Sequence, residues 1–288
     1  MNSGSQPTKQ KNKHEIRLWR VQNQQVSPHL DYVSVEEPLE IRLVNPPRTL
    51  ALTMRTPGAD FDLVTGFLLT EGILHSGQDV KRLSYCVDPG LDGDQQENIV
   101  NVELTTQDLP ELWKLERHFI VNSACGVCGK LHLDHLRLRG YQPLSITYQI
   151  SPDLITQLPE QLQKAQKQFF STGGLHAAAL FTADGRLQWL REDVGRHNAL
   201  DKVIGAACLA DQIPLSQSIL MVSGRTSYEI LQKSLAAGIP MICAVSAPSS
   251  LAVQLANEFG LTLIGFLRGD RFNIYAGHER VIGLEGNI

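Results

Sequence analysis

At 288 residues, with 42% hydrophobic and 19% charged side chains, the chain has the balance of a soluble protein whose core is large enough to fold without disulfides. A formal net charge of −4 argues against general nucleic-acid binding, which shows as a basic surplus, so any anion site must be local. Apolar runs are broken by glycine, proline or charge before the ~18 residues a membrane span needs, and the first residues lack a signal-peptide stretch; a cytoplasmic protein is expected.

In chain order, residues 1–29 read as a disordered or poorly ordered polar tail, with residues 1–14 showing no periodicity. Residues 30–120 read as a small α+β domain. Its strands are predicted at Leu39–Val44, Thr49–Arg55, Arg82–Val87 and Ile99–Leu104, with an amphipathic helix over Asp60–Leu74 opened by Pro57-Gly58-Ala59. Residues 121–150 read as a mobile cysteine loop and linker. A helix capped by Ser151-Pro152-Asp153 is expected to run to about Phe170. Residues 151–288 then alternate strands (His176–Thr182, Leu187–Arg191, Ser218–Val222, Pro240–Val245, Leu261–Phe266) with helices (His197–Ala210, Ser227–Ala237, Leu251–Phe259). The Ala183–Arg186 turn is a hairpin signal, and the alternation implies a mixed sheet with helices on its faces, α+β overall.

Five cysteines, an odd and small number, suit reduced thiols. Cys86, Cys208 and Cys243 lie in apolar stretches where cysteine behaves as a small buried hydrophobe. Cys125 and Cys128 differ, because Ser123-Ala-Cys-Gly-Val-Cys-Gly-Lys130 sets two thiols in a glycine-lined loop beside a cation. A free thiol is only a few per cent ionised at pH 7, and a neighbouring thiol, open amides and Lys130 all favour the reactive thiolate. Three uses stay open on the residues alone. Cys125, Cys128, His132 and His135 could hold a structural zinc, although a closed site usually draws its second pair from a distant segment. A dithiol oxidoreductase would place the pair at a helix start after a strand. Sulfur carriage would use a persulfide on one thiolate.

Anion-binding features gather in the second half. Ser223-Gly224-Arg225-Thr226-Ser227 follows a strand and opens a helix, where backbone amides favour phosphate. Arg191–Asn198 concentrates Arg196, His197 and two carboxylates around Gly195. Gly265–Arg271 leaves a strand with an aromatic and an acid suited to a purine base and arginines suited to phosphates. His176 begins a strand beside Thr172-Gly-Gly-Leu175.

Together, Cys125-Gly-Val-Cys128-Gly, Thr172-Gly-Gly-Leu175-His176, Glu192-Asp-Val-Gly-Arg-His-Asn-Ala-Leu-Asp-Lys202, Ser223-Gly224-Arg225 and Gly265-Phe266-Leu267-Arg268 resemble the FdhD/NarQ family, the formate dehydrogenase accessory sulfurtransferases, over roughly residues 30–288. The resemblance implies a cytoplasmic homodimer that takes sulfur from a cysteine desulfurase and passes it to the bis-molybdopterin guanine dinucleotide molybdenum cofactor of formate dehydrogenase. On the resemblance, Cys125 carries the persulfide and Cys128 assists. Phe266, Leu267, Arg268, Gly269, Asp270 and Arg271 would bind the guanine dinucleotide part, joined by Ser223, Gly224, Arg225, Arg196, His197 and His176, with guanine nucleotides as mimics and no resident metal. It also implies a cytidine-deaminase-like second domain. Deaminase chemistry is argued against by the residues, since His176-Ala177-Ala178 lacks the glutamate and no proline precedes the cysteine pair.

Overall fold

The computed structural model of the chain describes residues 12–105, 133 and 136–284. It begins with a correction to the expected tail, because residues 13–29 lie in an antiparallel hairpin of β1 (Lys13–Gln22) and β2 (Gln25–Ser34). Its two-residue turn, Asn23-Gln24, has both residues at positive φ (50° and 64°), the geometry that matches strand twist and is usually signalled by Asn-Gly. Without the glycine, the turn is silent in the sequence.

Next come β3 (Glu37–Leu43), β4 (Arg48–Arg55), α1 (Asp60–Thr70), β5 (Val80–Tyr85), a short α2 (Gly93–Glu97) and β6 (Ile99–Leu104). The strands form a four-stranded sheet ordered β4-β3-β6-β5. The first helix is shorter than the expected Asp60–Leu74. Gly72 takes φ 79°, and the Ile73 amide reaches back to the Leu68 carbonyl at 2.9 Å, a helix stop that needs left-handed backbone.

The second half supplies α3 (Pro152–Ala165), α4 (Lys167–Thr172), β7 (His176–Thr182), β8 (Leu187–Asp193), α5 (Arg196–Leu209), β9 (Ser218–Val222), α6 (Tyr228–Ala236), β10 (Met241–Ala244), α7 (Ser250–Glu258), β11 (Thr262–Arg268) and β12 (Arg271–Ala276). The six strands order as β12-β11-β10-β9-β7-β8. The neighbours β9, β10 and β11 run parallel, while β7 pairs antiparallel with β9 and β12 antiparallel with β11. The single helix expected to Phe170 is two, because the Glu192 carboxylate accepts from the Gln168 and Phe169 amides at 3.0 and 2.8 Å and so starts a new helix after Gln166.

Period-two alternation decides where the core sits. Ala177, Ala179 and Phe181 face Ile155, Leu158 and Leu162 of α3, whereas Ala178 and Leu180 join a larger core that continues through α5 and α1 to Leu39, Ile41, Val100 and Val102 of the first sheet. Strands buried on both faces read as continuous apolar runs, which is why β7 and β9 were legible. The mixed α+β architecture agrees with the sequence reading, and the two lobes share one core.

That union rests on α1 against α5. A Cβ at Gly66 would lie 1.8 Å from the Asp201 carbonyl oxygen, and one at Gly205 would lie 1.8 Å from that of Asp62. A buried ion pair, Lys202 Nζ to Asp193 Oδ2 at 2.6 Å, adds a polar seam. Lys202 also donates to the Thr56 carbonyl at 2.8 Å, and the Thr56 amide donates to Asp193 at 3.2 Å. Deeper in, Lys233 donates to both Asp201 oxygens and to the Thr70 hydroxyl, each at 2.9 Å.

Gly66→Ala and Gly205→Ala should each lower unfolding free energy by about 3 kcal/mol or more, although the same change in an open helix stabilises by about 1 kcal/mol. Denaturant titration reads this, and a gain in stability would mean the helices do not touch. In the same assay Asp193→Ala should cost about 3–5 kcal/mol by stranding a buried ammonium, with partial recovery when Lys202→Met is added.

Candidate functional site

Strand register lines five segments along one edge of the six-stranded sheet. His176 pairs with Asp193, Ala178 with Val222, Val222 with Ala244, and Cys243 with Ile264. The carboxyl ends of β8, β9, β10 and β11 and the start of β7 therefore form a single crest, the position where open α/β sheets bind ligands. His176, Arg196, His197, Ser223, Gly224, Arg225 and Phe266–Arg271 all belong to it, although they are spread over 96 positions of sequence.

Gly224 is the tightest point. A Cβ there would lie 3.3 Å from His176 Nδ1 and 3.8 Å from Arg196 Cδ, so the glycine lets the imidazole and the arginine stem meet over bare backbone. Burial first, then the Arg196 and His197 charges, hold the His176 pKa below the ordinary 6.5. His176 is thus a neutral ring at pH 7, able to donate at one nitrogen and accept at the other. His197 Nε2 lies 2.9 Å from Glu229 Oε2 and 3.3 Å from Ser227 Oγ. The hydrogen bond from His197 is the chief reason that the Glu229 carboxyl is lowered.

Two helices begin at this point without a side-chain cap. Gly195 and Ser227 precede α5 and α6, and neither makes a capping hydrogen bond. The Asn198 side chain, inside the first turn of α5, donates to the Met54 carbonyl at 2.7 Å and to Asp193 at 3.2 Å, and its Oδ1 accepts from the Thr53 hydroxyl at 3.5 Å. Beside them, Arg196 Nε and Thr226 Oγ1 are buried and without a hydrogen-bond partner. Buried donors without partners cost free energy, and next to open helix amides they complement an anion.

At the other end of the crest, β11 bulges between Gly265 and Arg268, where two residues oppose Phe272 alone. Phe266 takes φ 53°, an uncommon backbone for an aromatic residue, and its amide donates to the Ser246 carbonyl at 3.2 Å. The residue is 43% exposed. A Cβ on Gly265 would lie 3.0 Å from that same carbonyl, so the bulge needs a glycine to seat it and leaves the ring at the surface.

Not every expected contact faces the crest. Leu267 is fully buried in the α3-side core, because the bulge turns it inward as Phe266 turns out; it is corrected from a cofactor contact to a core residue. Ser223 spends its side chain on the fold, its hydroxyl accepting from the Ala177 amide at 2.9 Å. Arg225, Arg268, Gly269, Asp270 and Arg271 are exposed, and Arg268 Nε donates to the Val245 carbonyl at 3.3 Å. Thr226 and Glu229 were missed as site residues. Thr226 stood within the quoted Ser223–Ser227 string, whereas Glu229 meets a histidine 32 positions away and has no local signal.

Cys125, Cys128, His132 and His135 lie outside the described residues. Cys86, Cys208 and Cys243 are buried, as expected. Burial is the main cause that pushes Cys208 up to about 11 and raises Cys243 further still, so both are protonated and poor nucleophiles at neutral pH. Among the described residues no helix is long and apolar enough to cross a membrane.

The FdhD/NarQ family profile matches residues 34–282. A sulfur carrier protein FdhD of Streptomyces coelicolor is 50% identical over 268 residues, covering 92% of this chain and 94% of its own length. Its counterpart of the same name in Sulfurisphaera tokodaii is 48% identical, covering 93% and 98%. A crystal structure from Desulfotalea psychrophila, provisionally described as a formate dehydrogenase accessory protein, superposes with a TM-score of 0.72 at 24% identity over 94% of this chain and 100% of that one, a likeness of fold. With the crest and the Glu192–Lys202 string in place, these matches establish that the chain belongs to the FdhD/NarQ family, in which the relatives above carry the name sulfur carrier protein.

Proposed function

We propose that the protein works as a homodimer that carries sulfane sulfur on Cys125, assisted by Cys128, from a cysteine desulfurase to the bis-molybdopterin guanine dinucleotide molybdenum cofactor destined for formate dehydrogenase. The Cys125 thiolate attacks the terminal sulfur of the donor persulfide, an S–S bond forms on Cys125, and the donor leaves as thiolate. The cofactor is cargo, and the crest is its seat.

The observation that carries the reading is the pair of unpartnered buried donors, Arg196 Nε and Thr226 Oγ1, set between two uncapped helix starts. A phosphate there would satisfy the guanidinium, the hydroxyl and the open amides together. From β7 to β11 is three strand spacings, about 14 Å, which suits a nucleotide diphosphate laid along the crest. Its base would stack on Phe266 and its terminal phosphate would reach Arg196. Asp270, exposed at the β11–β12 turn, offers a carboxylate to the donor edge of guanine. His176, held neutral, adds a donor to phosphate without a further charge. The absence of the deaminase glutamate fits a site that binds and positions a nucleotide.

Incubation with a cysteine desulfurase and cysteine should add the mass of one sulfur atom to the intact protein, and Cys125→Ala should abolish the addition; unchanged loading in that variant would refute the assignment. Stoichiometric zinc retained on Cys125 and Cys128 would point to the metal-stabilised adaptor instead. A reducible Cys125–Cys128 disulfide that turns over with a dithiol would point to the oxidoreductase.

The crest divides by titration calorimetry with GDP. Arg196→Ala or Phe266→Ala should weaken binding about tenfold or more while melting temperature and sulfur loading stay near wild type. Leu267→Ala should do the reverse, lowering stability by about 2–5 kcal/mol and leaving binding intact below the melting transition.

A further inference from the structure

The β1–β2 hairpin carries the largest run of exposed apolar side chains in the described residues, and nothing in the crest chemistry uses it. Its register places Trp19 opposite Pro28, Val21 opposite Val26 and Arg17 opposite Leu30, so these six side chains share one face. On that face Trp19 is 72% exposed, Val21 68%, Val26 62% and Leu30 53%. The other face carries Ile16, Leu18 and His29, all half-buried; on the Trp19 face only the base is engaged, where Ser34, paired with Lys13, donates to Thr172 Oγ1 of α4 at 2.7 Å. One face is thus partly covered within the chain, and the Trp19 face is open from Leu30 to the tip.

A two-stranded hairpin has little stability of its own in water, and a contiguous apolar patch rimmed by polar groups marks an interaction surface. The rim here is Lys13, Glu15 and Arg17 around Tyr32, with the Lys13 ammonium 4.6 Å from the Tyr32 ring centre and the Tyr32 hydroxyl donating to Glu15 at 3.1 Å. Both charge signs lie at the edge of the apolar centre, so the face carries within itself the opposite charges that a self-complementary two-fold contact can use.

We propose that this hairpin face is the surface by which two copies of the chain associate, with Trp19, Val21, Val26 and Leu30 packed against the same residues of the second copy. The proposal rests on the homodimer reading given above and adds where the contact lies. The area is adequate: one tryptophan with the neighbouring aliphatic side chains exposes roughly 500 Å², so a two-fold contact buries about 1,000 Å², the threshold of a specific interface. A tryptophan anchor at the centre of the patch is the composition expected of an interface hot spot.

Light scattering on the eluting full-length protein tests the proposal, comparing wild type with the double variant Trp19→Glu/Val21→Lys. The expected result is a two-chain mass for wild type and a one-chain mass for the variant, with circular dichroism, melting temperature and GDP binding unchanged. Amide exchange over residues 17–30 should be slow in wild type and at least tenfold faster in the variant. A variant that stays two-chain overturns this surface and leaves the homodimer intact. A wild type that is one-chain overturns both, and slow exchange over 17–30 in that monomer would assign the face to cover from residues 106–132 of the same chain. A one-chain wild type with fast exchange would leave the face to a different protein.

Discussion

Gly66 on α1 and Gly205 on α5 let two helix backbones meet where any side chain would collide with a carbonyl oxygen, and most of the site's geometry follows from that contact. It presses the four-stranded sheet onto the six-stranded one through a common core, which brings the Met54–Thr56 stretch beside the start of α5. There the Met54 carbonyl takes the Asn198 amide, and Thr56 is bound by Asp193 and Lys202. Gly195 has no side chain with which to cap α5, so the first turn of that helix is open at the crest.

The charged string from Glu192 to Lys202 shows how a single stretch divides its work by direction. Glu192 and Asp193 are neighbours on a strand and point to opposite faces. Glu192 starts α4, while Asp193 holds the first lobe through Lys202 and also accepts the Gly195 amide at 2.8 Å. Arg196 and His197, one turn further on, reach the crest. Reading the whole string as ligand chemistry overstates it, since the buried members are structural and only the members at the helix start face the site.

Most of the buried charged side chains among the described residues find charged or carbonyl partners. Burial pulls Lys233 down, but Asp201 and Glu71 outweigh it and keep the ammonium charged; Arg55 donates to Asp60 at 3.0 and 3.1 Å. Arg280 donates to the Gly260, Leu144 and Ser145 carbonyls and so straps the extended 141–149 stretch to the second lobe. Arg139, Gln168 and Arg280 also keep one buried polar atom each without a partner, and what sets the Arg196 nitrogen and the Thr226 hydroxyl apart is their place beside two uncapped helix starts, where the helix dipoles present their positive ends.

The sequence alone determined the strands buried on both faces, the glycine- and proline-marked turns, the burial of Cys86, Cys208 and Cys243, and the segments that meet at the crest, because apolar periodicity and local backbone chemistry are properties of neighbouring residues. It also carried the family assignment, in strings such as Glu192–Lys202. Only the tertiary structure decided that residues 13–34 form a hairpin, that a carboxylate 24 positions away splits the 152–172 helix, that Leu267 turns inward while Phe266 turns out, and that Glu229 meets His197. Each of these depends on a contact between distant residues or on a positive-φ backbone without glycine to announce it, and such contacts leave no periodic trace in the chain.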